Sequence, residues 1–419
     1  MTSHVDRAYA LGLDRADKLA GYRDRFVLPE PDLVYLDGNS LGRLPRATVD
    51  RLARVVREEW GRGLIRSWPA WIEQARRVGD LIGTELLGAR PGEVVVSDST
   101  TVNLYKLAAA ALDARPDRTV VLGSADEFPT DRYVLQGLCS ARGLTLRDVP
   151  SHVDCGITPA DVRSVLDSSV ALVVLSHVAY RSGALADLAG ITAAAHAAGA
   201  LVLWDLSHSG GSVPVGLAGA GADLAVGCTY KYLNGGPGAP AYLYVRSDLQ
   251  DELRQPIQGW FGAADQFAMG PRYVPAPGID RFLVGTPPVL GIAAVEEGVT
   301  MLAAAGIDAL REKGIALTSL LVELADSWLA PLGFRLASPR DPRLRGSHVC
   351  LEHPRAWQVC QALLDRGVVP DYRTPDRLRL GPAPITTRFT DVYDALSLVR
   401  EVVRSGAHLG YPAETSRVT

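Results

Sequence analysis

The sequence predicts an α/β fold with a mainly parallel central sheet flanked by helices, followed by a smaller α+β C-terminal domain. Six short runs of aliphatic and aromatic residues alternate with helical segments between residues 94 and 245. Continuous apolar strands that alternate with helices are typical of a parallel sheet covered on both faces. A length of 419 residues exceeds what one hydrophobic core usually serves, which indicates a second domain.

The N-terminal part of the sequence predicts helices around one short strand. The first 30 residues predict a polar helix, and VYLDGNSLGRLP predicts a strand that runs into a glycine-punctuated turn. Apolar residues recur at three- and four-residue spacing from Ala47 to Trp60 and from Ile72 to Leu87. This spacing predicts two amphipathic helices before the first strand of the main sheet.

The six predicted strands bring polar residues to one edge of the sheet. The strands are VVVSD, TVVLG, ALVVLSHV, ALVLWDLS, LAVGC and AYLYV, at 94–98, 119–123, 171–178, 200–207, 224–228 and 241–245. In an open parallel sheet, ligands bind beyond the carboxyl ends of the strands. We therefore expect the site among the polar residues found there, which are Ser99, Thr100, Thr101, Ser176, His177, Asp205, His208, Thr229, Tyr230 and Lys231.

The predicted domain organisation has three parts. From about Thr300, the run MLAAAGIDALREKGIALTSLLVELADSWL predicts one long helix that leads into the second domain. The sequence therefore predicts an N-terminal arm over residues 1–45, a large domain over 46–290 and a small C-terminal domain over 291–419.

Composition narrows the class of function. A formal charge of -4 and a pI near 6.1 provide no basic field for a nucleic acid, so small molecules are the expected partners. The five cysteines are scattered, without a C-x-x-C pair or clustered histidines, and support neither a disulfide framework nor a metal site. The N-terminus lacks the apolar core of a secretory signal, and no stretch approaches the roughly 20 apolar residues of a membrane span. We expect a cytoplasmic protein that binds no membrane.

Lys231 and Asp205 are the strongest candidates for chemistry. In CTYKYLNGGPG, Lys231 follows a strand and precedes glycine-rich backbone. A lysine that forms a Schiff base must lie in a partly desolvated, rigid pocket, where the neutral amine is accessible near neutral pH. In WDLSHSGG, Asp205 ends an apolar strand, where a carboxylate needs a cationic partner such as a pyridinium nitrogen. Taken singly, a surface lysine and an aspartate that caps a turn are the alternative explanations.

Three further segments suit the same cofactor. SDSTTVNLYKLAAAAL places Thr100 and Thr101 near a helix N-terminus, where amides and hydroxyls bind phosphate. EFPTDRYVLQG offers Phe128 as a flat apolar face and Asp131 as an acceptor, and His208 could touch a cofactor. Each alone is also explained by helix capping or core packing. Their joint occurrence with the strand-end lysine and aspartate predicts a fold type I enzyme that depends on pyridoxal 5′-phosphate (PLP).

Over nearly its whole length the chain resembles the kynureninases, members of the class V aminotransferase superfamily. The matching runs are YLDGNSLGRLP, EEWGRGLIRSW, DSTTVNLYK, EFPTDRYVLQGL, WDLSHSGGSVPV, CTYKYLNGGPG, GWFG, FAMGPRY and GSHVCLEHP. The resemblance implies three catalytic residues. Lys231 would carry PLP as a Schiff base, Asp205 would pair with the pyridine nitrogen, and Tyr230 would carry a proton to the product.

The resemblance also implies the contacts of cofactor and substrate. Trp260 and Thr286 would reach the cofactor phosphate from the partner subunit, which implies a homodimer with shared active sites. Arg379 would hold the substrate α-carboxylate through its bidentate guanidinium, and Asn39 and Ser40 would also bind the substrate. Within the chain the implied cofactor contacts are Thr100, Thr101, Phe128, Asp131, Ser176, Asp205, His208, Tyr230 and Lys231.

Kynureninases hydrolyse the Cβ–Cγ bond of a γ-keto amino acid, giving alanine and an aromatic acid. The resemblance therefore implies a hydrolase or lyase that acts at the β-carbon of kynurenine or a related amino acid. Several departures fall where an aryl ketone should bind. Ala263 follows GWFG where histidine is usual, and Ala179 stands where asparagine is usual. The run RLGPAPIT, ending at Thr386, departs from R-x-G-F-T-P-L-Y, and SWPAW is shorter than its counterpart.

These departures leave alternative functions open, because each lost polar or aromatic contact would weaken binding of an aminophenyl ketone by ~1 kcal/mol or more. One alternative is β-elimination from a cysteine S-conjugate, as a C–S lyase. Another is decarboxylative deamination of such a conjugate in secondary metabolism. Outside enzymes, the chain could be a catalytically silent scaffold with a PLP fold.

Overall fold

The computed structural model describes residues 5–30 and 32–413. The α-helices of this part are α1 (Arg7–Ala16), α2 (Arg46–Arg54), α3 (Trp68–Ile72), α4 (Gln74–Ile82), α5 (Thr100–Asp113), α6 (Pro129–Arg142), α7 (Pro159–Arg163), α8 (Leu188–Ala197), α9 (Val289–Ala305), α10 (Ile307–Leu324), α11 (Ala356–Leu364) and α12 (Phe389–Arg404). The strands are β1 (Val34–Tyr35), β2 (Val94–Val96), β3 (Val120–Gly123), β4 (Thr145–Asp148), β5 (Val170–Ser176), β6 (Leu201–Asp205), β7 (Leu224–Gly227), β8 (Tyr242–Val245), β9 (Arg335–Leu336), β10 (Val349–Glu352), β11 (Val368–Val369), β12 (Asp371–Arg373) and β13 (Arg377–Leu380).

The main sheet has seven strands in the order β2-β8-β7-β6-β5-β3-β4. Its ladders are parallel, except that β8 runs antiparallel to both β2 and β7. Strands β2, β3, β6, β7 and β8 are buried along their whole length, as expected for a sheet covered by helices on both faces. The predicted mainly parallel α/β sheet is confirmed. In the β5–β6 register, Ser176 pairs with Asp205, so both side chains reach the same edge of the sheet.

A second, smaller sheet lies in the C-terminal part of the chain. Strands β12-β13-β10-β9 form an antiparallel sheet, and β1 pairs in parallel with β11. The larger hydrophobic core takes its residues from the chain up to Leu310 and also contains Ile385. A separate core takes its residues from Leu317 onward and also contains Ala10, Val34 and Leu36 of the N-terminal arm. The arm therefore crosses to the C-terminal part and anchors there. The predicted boundaries at residues 45 and 290 stay predictions.

Several elements differ from the sequence prediction. The single long helix predicted from Thr300 is wrong, because Gly306 adopts φ +82° and ψ 131° and separates α9 from α10. Only glycine adopts such backbone readily. The helix predicted over 47–60 continues as a π-helical segment, Val55–Gly63. Strand β4 was missed, since its residues are largely exposed at the sheet edge and carry no apolar run.

The segment Ile307–Leu332 is long and apolar enough, by length and composition alone, to span a membrane. Three of its leucines, Leu317, Leu321 and Leu324, are fully buried and belong to the smaller core. An apolar helix buried in a protein core meets the same criterion of length and composition as a membrane span. We therefore interpret this segment as a core helix of the C-terminal part.

Candidate active site

A cleft of about 570 Å³ lies at the carboxyl ends of β5 and β6. The residues around it come from the N-terminus of α5, the start of α6 and the loops after β5, β6 and β7. These are the positions at which an α/β sheet binds its ligands. The cleft brings together nine side chains that the sequence predicted as cofactor contacts, namely Thr100, Thr101, Phe128, Asp131, Ser176, Asp205, His208, Tyr230 and Lys231.

Lys231 lies on the floor of this cleft and is only 9% exposed. Its Nζ is 3.2 Å from Nε2 of His208 and 5.7 Å from the centre of the Phe128 ring. Burial, followed by the positive charge of Lys231, holds the pKa of His208 well below its usual range. His208 is therefore a neutral imidazole that can accept a hydrogen bond from the lysine amine. The lysine is rigidly placed in a partly desolvated site, as Schiff-base chemistry requires.

Two carboxylates face the same cleft, Asp205 at the end of β6 and Asp131 on α6. One oxygen of Asp205 accepts the amide of Ser207 at 2.6 Å. Both oxygens of Asp131 are buried without a hydrogen-bond partner. Burial, the Asp205 charge and then the Glu127 charge raise the pKa of Asp131 well above its usual range, and the Lys231 charge opposes them.

The acid pair provides a test of whether PLP fits the site. Unpartnered buried carboxylate oxygens are unfavourable, so Asp131 and Asp205 together need a donor or a cation between them. A protonated pyridine nitrogen is such a group, and the flat ring of Phe128 borders the same space. The residues present therefore fit the cofactor that the sequence predicted.

The N-terminus of α5 opens onto the cleft. Ser99 is its N-cap and accepts the amide of Val102 at 3.3 Å. The amides of Thr100 and Thr101 lie in the first helical turn, which has no intrahelical acceptors for its N–H groups, so they suit a phosphate. Thr286 lines an adjoining opening together with Thr100 and Tyr230.

Of the predicted cofactor contacts, Trp260 alone lines neither the cofactor cleft nor the adjoining opening. The residue is 38% exposed, and its ring stacks on Trp68 with ring centres 6.3 Å apart and planes 9° apart. The predicted reach of Trp260 and Thr286 to a partner's phosphate stays a prediction.

The three predicted substrate-binding residues form one cluster, in which Arg379 and Asn39 are buried and Ser40 is half-buried. Nη2 of Arg379 donates to Oγ of Ser40 at 2.9 Å, and Nε and Nη2 lie 2.9 and 3.1 Å from the side-chain oxygen of Asn39 when its amide is oriented as the hydrogen bonds require. Arg379 also forms a buried ion pair with Asp371, and its Nη1 donates to the carbonyl of Tyr180 at 3.0 Å. Since Tyr180 lines the cofactor cleft, the arginine cluster adjoins it. A substrate carboxylate here would share the guanidinium with Asp371.

The phenol of Tyr230 is suited to holding a proton. Its side chain borders the cofactor cleft and the adjoining opening. Burial raises the pKa of this phenol above its ordinary value. The phenol therefore stays protonated at neutral pH and can act only as a proton donor or a hydrogen-bonding group there.

Comparisons with known proteins match this site to one family. Residues 34–352 match the family described as aminotransferase class-V, and residues 310–399 match the kynureninase C-terminal domain. The kynureninase of Pseudomonas fluorescens is 46% identical over 411 residues, which covers 96% of each chain. The kynureninase of Burkholderia pseudomallei (strain 1106a) is 46% identical over 409 residues, again 96% of each chain.

The chain belongs to the kynureninase family. Its membership confirms the predictions of a PLP-dependent enzyme and of the class V aminotransferase fold. Among solved structures, a cysteine desulfurase from Thermococcus onnurineus NA1 superposes with a TM-score of 0.79 at 18% identity, covering 92% of this chain and 98% of that one. The cystine C-S lyase C-DES in complex with its product superposes with a TM-score of 0.77 at 18% identity, covering 88% and 98%. At that identity these two structures show the fold alone.

The departures from the family pattern lie at different distances from the cleft. Ala179 lines a second cavity that shares Ser176 and Tyr180 with the cofactor cleft. Ala263 is half-buried and pairs with Pro275 in an isolated β-bridge. Thr386 is 3% exposed, and its carbonyl accepts Nη1 of Arg23 at 2.6 Å. Of these three positions, Ala179 is the one that borders the cavity beside the cofactor.

Sequence reasoning missed four residues of this kynureninase-family site. Tyr180 packs edge-on against Phe128 with ring centres 5.4 Å apart. His348 lies beside His208, with ring centres 5.5 Å apart, and Asp371 holds Arg379. Glu127 is buried behind Ser176. Glu127 directly precedes Phe128 in EFPTD, and Tyr180 lies four residues after Ser176 in SHVAYR. This closeness in sequence to predicted contacts is the one signal that could have found them.

The glycine turn of the N-terminal arm packs against the loop that carries Lys231. Gly42 donates its amide to the carbonyl of Tyr230 at 2.8 Å, and a Cβ at this position would overlap the Lys231 carbonyl and Asn234. We expect Gly42→Ala to lower the free energy of unfolding by about 1–3 kcal/mol and to weaken PLP binding, because the Lys231 loop must move. Thermal unfolding and PLP titration check this. Gly137→Ala is the control, since a Cβ there meets open space on α6, and it should leave both unchanged or gain up to ~1 kcal/mol.

Proposed function

We propose that this protein hydrolyses the Cβ–Cγ bond of kynurenine or a related γ-keto amino acid, giving alanine and an aromatic acid. The observation that carries the proposal is that the cofactor cleft adjoins the predicted substrate-binding site. Lys231 and Asp205 line a cleft that fits PLP, and through Tyr180 the cleft adjoins the buried Arg379. The curated relatives at 46% identity are named kynureninases, which supports the same reaction.

When bound, PLP supplies an aldehyde that links reversibly to amines and a ring that accepts electrons from the substrate. The chain supplies the proton chemistry. His208, held neutral by burial, accepts a hydrogen bond from Nζ of Lys231 and so orients the lysine amine. Once free of the cofactor, that amine can take a proton from the substrate and return it. The protonated phenol of Tyr230 is the second proton donor at the cleft.

Substrate orientation comes from the arginine cluster. The substrate α-carboxylate would share the planar guanidinium of Arg379 with Asp371, and Asn39 and Ser40 hold that plane by direct hydrogen bonds. A fixed carboxylate limits how the rest of the substrate can turn over the ring. This placement suits a reaction at the β-carbon.

A second candidate is β-elimination or decarboxylative deamination of a cysteine S-conjugate. The observation that favours it is the alanine at position 179, on the cavity beside the cofactor, where the family resemblance expects an asparagine. An alanine offers no side-chain hydrogen bond to a ketone or an aryl substituent. A substrate without a γ-carbonyl needs no such contact.

Product analysis separates these functions. The PLP-loaded protein is incubated with kynurenine, 3-hydroxykynurenine and an S-alkyl cysteine. Anthranilate or its hydroxy derivative supports hydrolysis, pyruvate supports elimination, and an aldehyde with carbon dioxide supports decarboxylative deamination. A protein that shows no visible absorbance change on PLP addition and forms none of these products would be the silent scaffold.

The cytoplasmic location stays a prediction from the sequence.

We also propose that the enzyme is a homodimer with shared active sites. Exposed Leu41, Leu44, Val56 and Leu290 border a wide apolar groove beside the glycine loop at 235–239. This groove is continuous with the opening that holds Thr286. Contiguous exposed apolar surface of this kind marks an interaction site, and a second copy would bring its own Thr286 to the cleft.

Subunit mixing tests the shared site. Lys231→Ala and Thr286→Asp should each be inactive as homodimers, the latter because a carboxylate repels the phosphate. If Thr286 acts across the interface, each mixed dimer contains one site with both native residues, so mixing should restore about a quarter of the wild-type activity at equal amounts. If Thr286 serves its own subunit, both sites of the mixed dimer are defective and no activity returns. Size-exclusion chromatography with light scattering measures the dimer itself.

A further inference from the structure

Glu127 is a buried acid that the proposed reaction does not use. It precedes Phe128 and is 9% exposed. One of its oxygens, Oε2, lies 2.5 Å from Oγ of Ser176, and the amide of Ser176 donates to both carboxyl oxygens at 3.2 Å. Ser176 in turn lines the cofactor cleft and pairs with Asp205 in the sheet register. Glu127 is therefore one hydrogen bond away from the cofactor site.

Glu127 is surrounded by both acidic and basic groups. Asp126 precedes it in the same loop and binds Arg181, which follows Tyr180, at 2.9 Å. The titratable or charged groups that face this region from the packed elements are Asp131 on α6, Asp205 at the end of β6, Lys231 beyond it, and Arg181, His152 and Tyr180 on the loops around the second cavity. Glu127 itself lines this second cavity and does not line the cofactor cleft, so its carboxyl borders a space outside that cleft.

The protonation state of the Glu127 carboxyl sets the direction of its hydrogen bond with the Ser176 hydroxyl. An ionised carboxylate can only accept, so Ser176 must then donate its O–H to Glu127, and its oxygen can only accept from the cleft. A protonated carboxyl can donate to Ser176, which frees the serine hydrogen to point into the cleft. The Ser176 amide bonds to Glu127 in both cases and keeps the carboxyl in place.

We propose that Glu127 is a positioning residue that sets whether Ser176 donates or accepts a hydrogen bond at the cofactor site. This inference rests on the proposed PLP chemistry. Burial, with smaller contributions from Asp205 and Asp126, raises the pKa of Glu127 to about 7, against the two hydrogen bonds from Ser176. Both directions of the Ser176 hydroxyl are therefore populated near neutral pH. A cation bound at Asp205 would favour the ionised form, in which Ser176 accepts.

The test is a double-mutant cycle read in PLP affinity. PLP is titrated into the wild type, Glu127→Gln, Ser176→Ala and the double variant at several values between about pH 6 and pH 8, and the dissociation constant is taken from the visible absorbance. We expect Glu127→Gln to change the constant about fivefold above pH 7 and to abolish a pH-dependent component with its midpoint near 7. In the Ser176→Ala variant, adding Glu127→Gln should change the dissociation constant of PLP less than about twofold.

Controls separate positioning from a merely structural role. Asp126→Asn removes a carboxylate of the same loop that binds Arg181 instead of Ser176. Because Asp126 raises the pKa of Glu127, this variant should lower the midpoint of the pH-dependent component without abolishing it. Ser176→Thr keeps the hydroxyl and should keep the wild-type pH profile, a test that holds even if Glu127→Gln does not fold. The inference is overturned if the effects of Glu127→Gln and Ser176→Ala multiply, or if Glu127→Gln lowers the melting temperature alone. A wild type that binds no PLP overturns the proposed function as well.

Discussion

Replacing Lys231 by alanine should lower turnover by about 10³-fold or more and leave PLP bound without a covalent link. The reason is that Nζ of Lys231 is the buried amine at the floor of the cleft, 3.2 Å from His208. The substitution also removes the positive charge that lowers the pKa of His208 and opposes the raised pKa of Asp131. Both pKa values should therefore rise in the variant. Activity, visible absorbance and the protein mass after borohydride reduction measure the effect.

Lys313 provides the matched control for this prediction. It is also a buried lysine, 7% exposed, but its Nζ pairs with Asp17 at 2.7 Å, away from the cofactor cleft. Lys313→Ala should lower stability because it leaves a buried carboxylate unpaired, while turnover and the covalent link persist. Turnover retained in Lys231→Ala, or a mass increase after reduction in that variant, would show that another group holds the cofactor.

The main sheet was predictable because its strands are short, continuous apolar runs. Each of the six predicted runs overlaps an observed strand between β2 and β8, since burial on both faces leaves no other pattern. The exposed strand β4 lacked this signal. The break at Gly306 was also missed, because an isolated glycine in an apolar helical run is compatible with a continuous helix until tertiary packing decides.

The cofactor side of the site was predictable from residue types at strand ends. Asp205 ends β6 and Lys231 follows β7. These two buried strands are parallel and end at one edge of the sheet, so the two residues had to be close. The partners of the site were not predictable in the same way. Asp371 reaches Arg379 through the β12–β13 register, and Glu127 reaches Ser176 across 49 residues, neither of which has a local sequence pattern.

Arg379→Ala should raise the KM for the amino-acid substrate by about 10- to 100-fold, the value of a charge-assisted hydrogen bond to a carboxylate. The visible absorbance of bound PLP should remain, because Arg379 does not line the cofactor cleft and meets it only through the backbone carbonyl of Tyr180. The variant should also lose stability, since Asp371 would be left buried without its main partner. Steady-state kinetics, PLP spectra and thermal unfolding measure these three effects separately.

Three further variants isolate the role of the guanidinium in substrate binding. Arg379→Lys keeps the charge without the planar set of donors, so it should recover only part of the lost affinity. Adding Asp371→Asn to Arg379→Ala should restore stability but not KM, because the unpaired carboxylate is then gone while the substrate still lacks its partner. Arg373→Ala removes a half-exposed neighbour that also binds Asp371, at 2.9 Å, and should leave KM nearly unchanged. Loss of PLP from Arg379→Ala, or recovery of KM by Asp371→Asn, would place Arg379 in cofactor binding or in structural support alone.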